Sequence, residues 1–148
     1  MATIELKGGD QLQKRLAEIA AKLGSAKELR VGYLEGATYP DGTSVPMVAA
    51  AQNWGTDKLP ARPFFSSMIT KNEDGWPALI EEGLKRSGMD AKAALTFTGQ
   101  IMTEQLKASI LEQNFVPLKP ETVARKGFAT ILVDTAAGLL NGSAFEVE

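Results

Sequence analysis

The chain has 148 residues, 44% of them hydrophobic and 23% charged, with a formal net charge of -2 and neither Cys nor His. That length suits one domain with a single core, and the missing residue types exclude disulfides, thiolate nucleophiles, the usual nitrogen and sulfur zinc sites and every mechanism in which imidazole carries the proton. A sequence pI near 5.3 gives no general attraction to DNA or to an acidic membrane face.

Thr3 to Lys7 alternates and ends at Gly8-Gly9, a short strand closed by a turn. It has neither the basic start nor the apolar centre of a secretory signal, and no apolar run reaches membrane-spanning length, so the expectation is a protein made in the cytoplasm with no membrane partner. Asp10 then reads as the N-cap of a helix on which Leu12, Leu16, Ile19, Ala20 and Leu23 share a face until Gly24. The expectation is a core helix whose other face, with Lys14, Arg15, Glu18 and Lys22, is solvated. Glu28 to Leu34 alternates again, with Leu29, Val31 and Tyr33 on one side, and predicts a strand beside the first.

Gly36 to Ser44 has the turn chemistry of an exposed loop, and Val45 to Trp54 predicts a short Ala-rich helix stopped by Gly55. Leu59 to Thr70 starts extended because of Pro60 and Pro63, while Phe64 to Ile69 fits helix and strand equally. Trp76, Leu79, Ile80, Gly83 and Leu84 follow helical spacing with Pro77 in the first turn and Gly88 as the stop. Asp90 caps a longer helix to about Gln113. Pro117, Pro120 and Gly127 punctuate a basic stretch, and a short helical turn through Leu139 and Leu140 leads to a final strand, Ser143 to Val147.

These elements predict one α+β domain over 1–148. A small mixed or antiparallel sheet, from the first strand, Glu28 to Leu34 and the final strand, packs on two main helices, Asp10 to Leu23 and Asp90 to Gln113, with additional short helices and a long exposed loop.

Little in the sequence points to catalysis. No Gly-x-Gly occurs and no phosphate-binding loop is present. The remaining acid-base idea is a lytic glycosidase using the loop carboxylates Glu35, Asp41, Asp57 and Glu73, but nothing around them promises the burial that raises a catalytic acid's pKa. Lys119, Arg125 and Lys126 offer at most a small phosphate contact, and Asn141-Gly142 reads as a turn. The most constrained segment is Leu59-Pro60-Ala61-Arg62-Pro63-Phe64-Phe65. Its prolines fix the backbone, its aromatics stiffen it, and Arg62 presents a planar fork suited to a carboxylate or to carbonyls.

Two blocks carry a resemblance. Val48-Ala49-Ala50-Ala51-Gln52-Asn53-Trp54-Gly55-Thr56 with Pro60-Ala61-Arg62-Pro63-Phe64 forms the first. The second is Pro120-Glu121-Thr122, Arg125-Lys126-Gly127 and Leu132-Val133-Asp134-Thr135, then Leu139 and the last strand. In this order they resemble the tailed-bacteriophage neck proteins of the tail-completion, head-tail joining or virion-morphogenesis family. Gln52-Asn53 stands where that pattern more often has Asn-Glu, and Ala136-Ala137-Gly138 follows Thr135 where a Gly directly after the Thr is common.

The resemblance implies a non-catalytic virion subunit without cofactor or metal, forming a ring of six or twelve copies in the neck. Such a ring joins a portal-side adaptor or head-closure protein to a tail terminator or tail tube protein, and DNA passes through it without sequence-specific binding. Trp54, Gly55, Arg62, Pro63, Phe64 and Phe65 are then the expected interface or loop-organising residues. A tail terminator or other tail-associated protein, and a bacterial binding module with no viral role, are the alternatives alongside the glycosidase.

Overall fold

The structure, a computed structural model, describes residues 8–112 and 133–148. In chain order these form α1 (Gly9–Leu23), β1 (Leu29–Tyr33), α2 (Val45–Trp54), α3 (Phe64–Asn72), a 3-10 turn (Glu73–Gly75), α4 (Trp76–Arg86), α5 (Ala91–Leu111), α6 (Val133–Gly142) and β2 (Ser143–Val147). The α+β class expected from the sequence is the one observed.

The organising element is α5, about 31 Å long at 1.5 Å per residue. Asp90 caps it by accepting the Ala93 N–H at 3.0 Å, as its position ahead of the apolar run predicts. Ser25 fixes the same end, donating to the Asp90 carboxylate at 3.2 Å and accepting the Lys92 N–H at 3.0 Å. These backbone and hydroxyl donors hold the Asp90 carboxyl below its ordinary value of 3.8.

Small residues let other elements come close to α5. A Cβ on Gly83 of α4 would lie 2.9 Å from the Ala94 Cα. One on Gly99 would lie 2.6 Å from the Phe145 ring of β2 and 2.8 Å from a Leu29 methyl of β1. The buried hydroxyls of Thr98 and Thr103 donate to the carbonyls four residues back, Ala94 at 2.9 Å and Gly99 at 2.8 Å, so burying them strands no polar group.

β1 and β2 are antiparallel, pairing Leu29 with Val147, Val31 with Phe145 and Tyr33 with Ser143. Side chains opposite one another share a face. Leu29 and Phe145 therefore sit together over Gly99, while Arg30 and Glu146 occupy the opposite face. There Arg30 pairs with Glu28 at 3.0 Å, among exposed charges that contribute little stability. The main core lies farther along α5: Leu106 and Ile110 pack with Val45 and Ala49 of α2, Phe64 and Met68 of α3 and Leu139 of α6.

Several expectations change. Asp10 lies inside the first turn of α1 rather than capping it, because Gly8 takes the cap position in a left-handed conformation with φ 97. More consequential, α1 buries none of its residues: Leu12 is 61% exposed, Leu16 55% and Leu23 40%. Amphipathic spacing shows that a helix has an apolar face, not what covers that face.

The loop after β1 is mostly exposed, as expected, but it is anchored. Thr38 bridges to Ser44, the Tyr39 N–H donates to Thr43 O at 2.8 Å, and the Tyr39 ring occupies the space that a side chain at Gly138 would fill. Phe64 to Ile69, undecided from sequence, is helical, and the turn expected around Leu139 is a full ten-residue helix. The first strand and the basic stretch from Lys119 to Gly127 lie outside the described residues.

Two comparisons test this packing. Gly83→Ala should destabilise the protein by about 1–3 kcal/mol, because overpacking against the Ala94 backbone outweighs the usual helix gain of about 1 kcal/mol. Gly75→Ala, where a Cβ meets nothing within 4 Å, should be neutral or stabilising by about 0.5 kcal/mol. Urea unfolding of both variants reads the contrast.

A pH series tests the cap. The pKa of Asp90 is lower folded than unfolded, so its stabilisation is complete above the unfolded value and is lost as pH falls through the folded one. The gap in unfolding midpoint between wild type and Asp90→Ala should therefore be widest near neutral pH and narrow steadily below pH 3.8.

Candidate functional site

Ser44 starts α2 by accepting the Met47 N–H at 3.4 Å, with Pro46 in the first turn, where its missing N–H costs nothing. Gly55 ends it at φ 77. The chain folds back so tightly there that a Cβ would lie 2.8 Å from both the Ala61 nitrogen and the Leu59 oxygen. Only glycine meets both demands. Between these contacts Thr56 and Leu59 exchange backbone hydrogen bonds at 2.8 and 3.2 Å, leaving Asp57 and Lys58 exposed at the tip.

The returning segment is pinned to the helix it came from. The Arg62 N–H donates to Gln52 O at 2.7 Å, and the Arg62 guanidinium donates to Gln52 Oε1 at 3.1 Å. Arg62 is buried, and burial lowers its pKa from the ordinary guanidinium value. The fork that the sequence offers to a carboxylate or carbonyl is thus used on an amide of the same subunit.

Asn53, the next residue, links α2 to α3. Its Oδ1 accepts the N–H groups of Phe65 at 3.1 Å and Ser66 at 3.0 Å, and its Nδ2 donates to Ser66 Oγ at 2.8 Å. The residue preceding α3 is Pro63, which has no side chain able to cap, so Asn53 performs that task from another helix. Phe64 then enters the core fully buried, and its carbonyl accepts the Ser109 hydroxyl of α5.

The expected site residues therefore separate into three groups. Gly55, Arg62 and Phe64 hold the corner together from within. Phe65 is half-buried and packs its ring against Tyr33, with centroids 6.5 Å apart. Trp54 and Pro63 face solvent, and Trp54 is 74% exposed.

Beside Trp54 runs a mostly apolar trough of about 230 Å³, bordered by Tyr33, Pro46, Ala50 and Phe65. Burial raises the Tyr33 pKa, and its hydroxyl has no hydrogen-bond partner among the described residues. Sequence reasoning missed two contributors. Asn53 was signalled by the need of a proline-preceded helix for an outside cap. Met47, 68% exposed and about two turns before Trp54, had only its apolar character as a signal.

The loop carboxylates do not converge on this corner in catalytic form. Glu35, Asp57 and Glu73 are exposed. Asp41 accepts the Thr43 N–H at 2.9 Å, which lowers its pKa, the opposite of what a general acid needs. Among the described residues no cluster of three or more acidic side chains is placed to hold a metal ion, and no helix is long and apolar enough to cross a membrane. Comparison with family models, curated proteins and solved structures finds no match to the chain.

Asn53→Ala removes the acceptor for two amides of the first turn of α3. It should cost about 1–3 kcal/mol in urea unfolding. Asn53→Asp, which keeps that acceptor and places negative charge at a helix N-terminus, should recover more than half of the loss at neutral pH.

Proposed function

We propose that the protein is a structural subunit of a tailed-phage virion, forming a ring in the neck that joins the portal complex to the tail and continues the DNA channel. The reading begins from the two sequence blocks resembling the tail-completion and head-tail joining family. The observation that carries it further is the exposure of Trp54 on a rigidly held corner. Gly55, Asn53 and the Arg62–Gln52 pair leave this helix end little freedom, and α2 contains no charged residue. A fixed, uncharged surface with an outward Trp and Met has the composition of an interface centre.

In this reading the corner acts in two ways. Arg62, Phe64 and Asn53 set the position of the surface. Trp54, Met47 and the trough make the contact with a neighbouring virion protein, for which a portal-side adaptor and a tail terminator or tube protein are the candidates. The reaction class is none: the subunit binds and seals.

The two roles separate by mutation. Phe64→Ala empties a fully buried site and should cost about 3–5 kcal/mol, so it disables folding before it reports on joining. Trp54→Ala should leave stability within about 0.5 kcal/mol of wild type while lowering the yield of tailed, infectious particles at least tenfold in complementation of a phage lacking the subunit. Unchanged yield removes Trp54 from the joining surface. Absence of the protein from purified virions overturns the neck reading, and its location at the distal end of the neck assigns it to tail termination instead.

A further inference from the structure

Every other α-helix among the described residues buries at least one residue, whereas α1 buries none. Its leucines grow more exposed from root to tip, through Leu23, Leu16 and Leu12. Tertiary packing, which supplies most of the stability of helices in proteins, contributes little here.

Local terms hold the helix instead. Apart from Gly9, Asp10 and Ile19, every residue of α1 is Ala, Leu, Gln, Lys, Arg or Glu, the strongest helix formers. Asp10 in the first turn and Lys22 in the last suit the helix dipole, and Arg15 meets Glu18 one turn on at 3.4 Å. Against these stands a start with no side-chain cap. A fifteen-residue helix supported only in this way is marginal in water.

The support changes abruptly just past the helix. Gly24 is exposed, and Ala26, two residues on, is buried. Between them Ser25 donates to the Asp90 carboxylate and accepts the Lys92 N–H. Lys27 and Glu28 both donate their N–H groups to the Glu148 carbonyl, and Glu148 returns a bond to Glu28 O at 3.0 Å. Opening α1 as far as Gly24 therefore uncovers no residue of α1 that was buried and breaks none of these clamping bonds.

We propose that α1 is a conditional arm, a helix that forms and melts by itself up to the Gly24–Ser25 boundary while the rest of the subunit stays folded. The consequence lies in its apolar residues. Leu12, Leu16, Ile19 and Leu23, spaced four, three and four apart, share one face only while α1 is helical. In the melted arm the seam does not exist. Any association made through it is weakened in proportion to the fraction of molecules in which α1 is formed, so the arm restrains contact by the free subunit. This device stands apart from the neck reading and holds whatever the protein joins.

Hydrogen exchange of the full chain in dilute solution tests it. Amides from Leu12 to Leu23 should exchange within about tenfold of an unstructured chain, and those from Thr98 to Ile110 of α5 at least about a thousandfold more slowly. Two substitutions then separate the units. Ala17→Gly, at an exposed position in the middle of α1, should lower the helical circular dichroism and the remaining protection of α1 while leaving the urea midpoint read by tryptophan fluorescence unchanged. Ile110→Val, a mild loss in the core, should lower that midpoint and leave α1 exchange unchanged.

Protection of α1 equal to that of α5 would overturn the proposal. So would a fall in the urea midpoint on Ala17→Gly, the response of an interior glycine in a helix that unfolds together with the core.

Discussion

The amide side chain of Asn53 is the bond on which the rest of the corner depends. It belongs to the last turn of α2, yet its acceptor oxygen takes the first free N–H groups of α3. A proline stands before α3 and cannot cap it, so without Asn53 those amides would face the space between two helices with no partner. Leaving such donors buried and unsatisfied costs about 1–3 kcal/mol. The same bond sets where α3 begins, and hence where Phe64 enters the core and where its carbonyl meets Ser109. Gly55 and Arg62 work to the same end by closing the intervening turn onto α2.

Local signals in the sequence specify most of the elements. The bounds of α2 follow from Ser44, Pro46 and Gly55, the start of α5 from Asp90, and the strand from Ser143 to Val147 from its alternation, although Asn141-Gly142 before it ends α6 rather than forming a turn. What escapes is whatever a distant residue decides. The run Phe64-Phe65-Ser66-Ser67-Met68-Ile69 has no clean period, and its cap comes from ten or more residues back, so helix and strand look alike until Asn53 is placed. Tyr39 anchors its loop against Gly138, nearly a hundred positions away.

The site was legible in the same uneven way. Its stiffness is written into Gly55, Pro60 and Pro63, but the direction each side chain takes is not. Arg62 offers its fork in sequence to any carboxylate or carbonyl and is buried against Gln52, whereas Trp54, named with it as an interface or loop-organising residue, stands in solvent. A similar ambiguity applies to α1, whose leucines announce a partner while leaving its identity to the arrangement of the other helices.

The turn between Thr56 and Leu59 has a further consequence. Its two sides are fastened to each other and, through Gly55 and Arg62, to α2, while the side chains of Asp57 and Lys58 at the tip are exposed. Asp57 and Lys58 therefore form an address that can be rewritten independently of the scaffold. Substituting those two side chains alters what the corner presents to its surroundings while the backbone bonds that shape it stay in place.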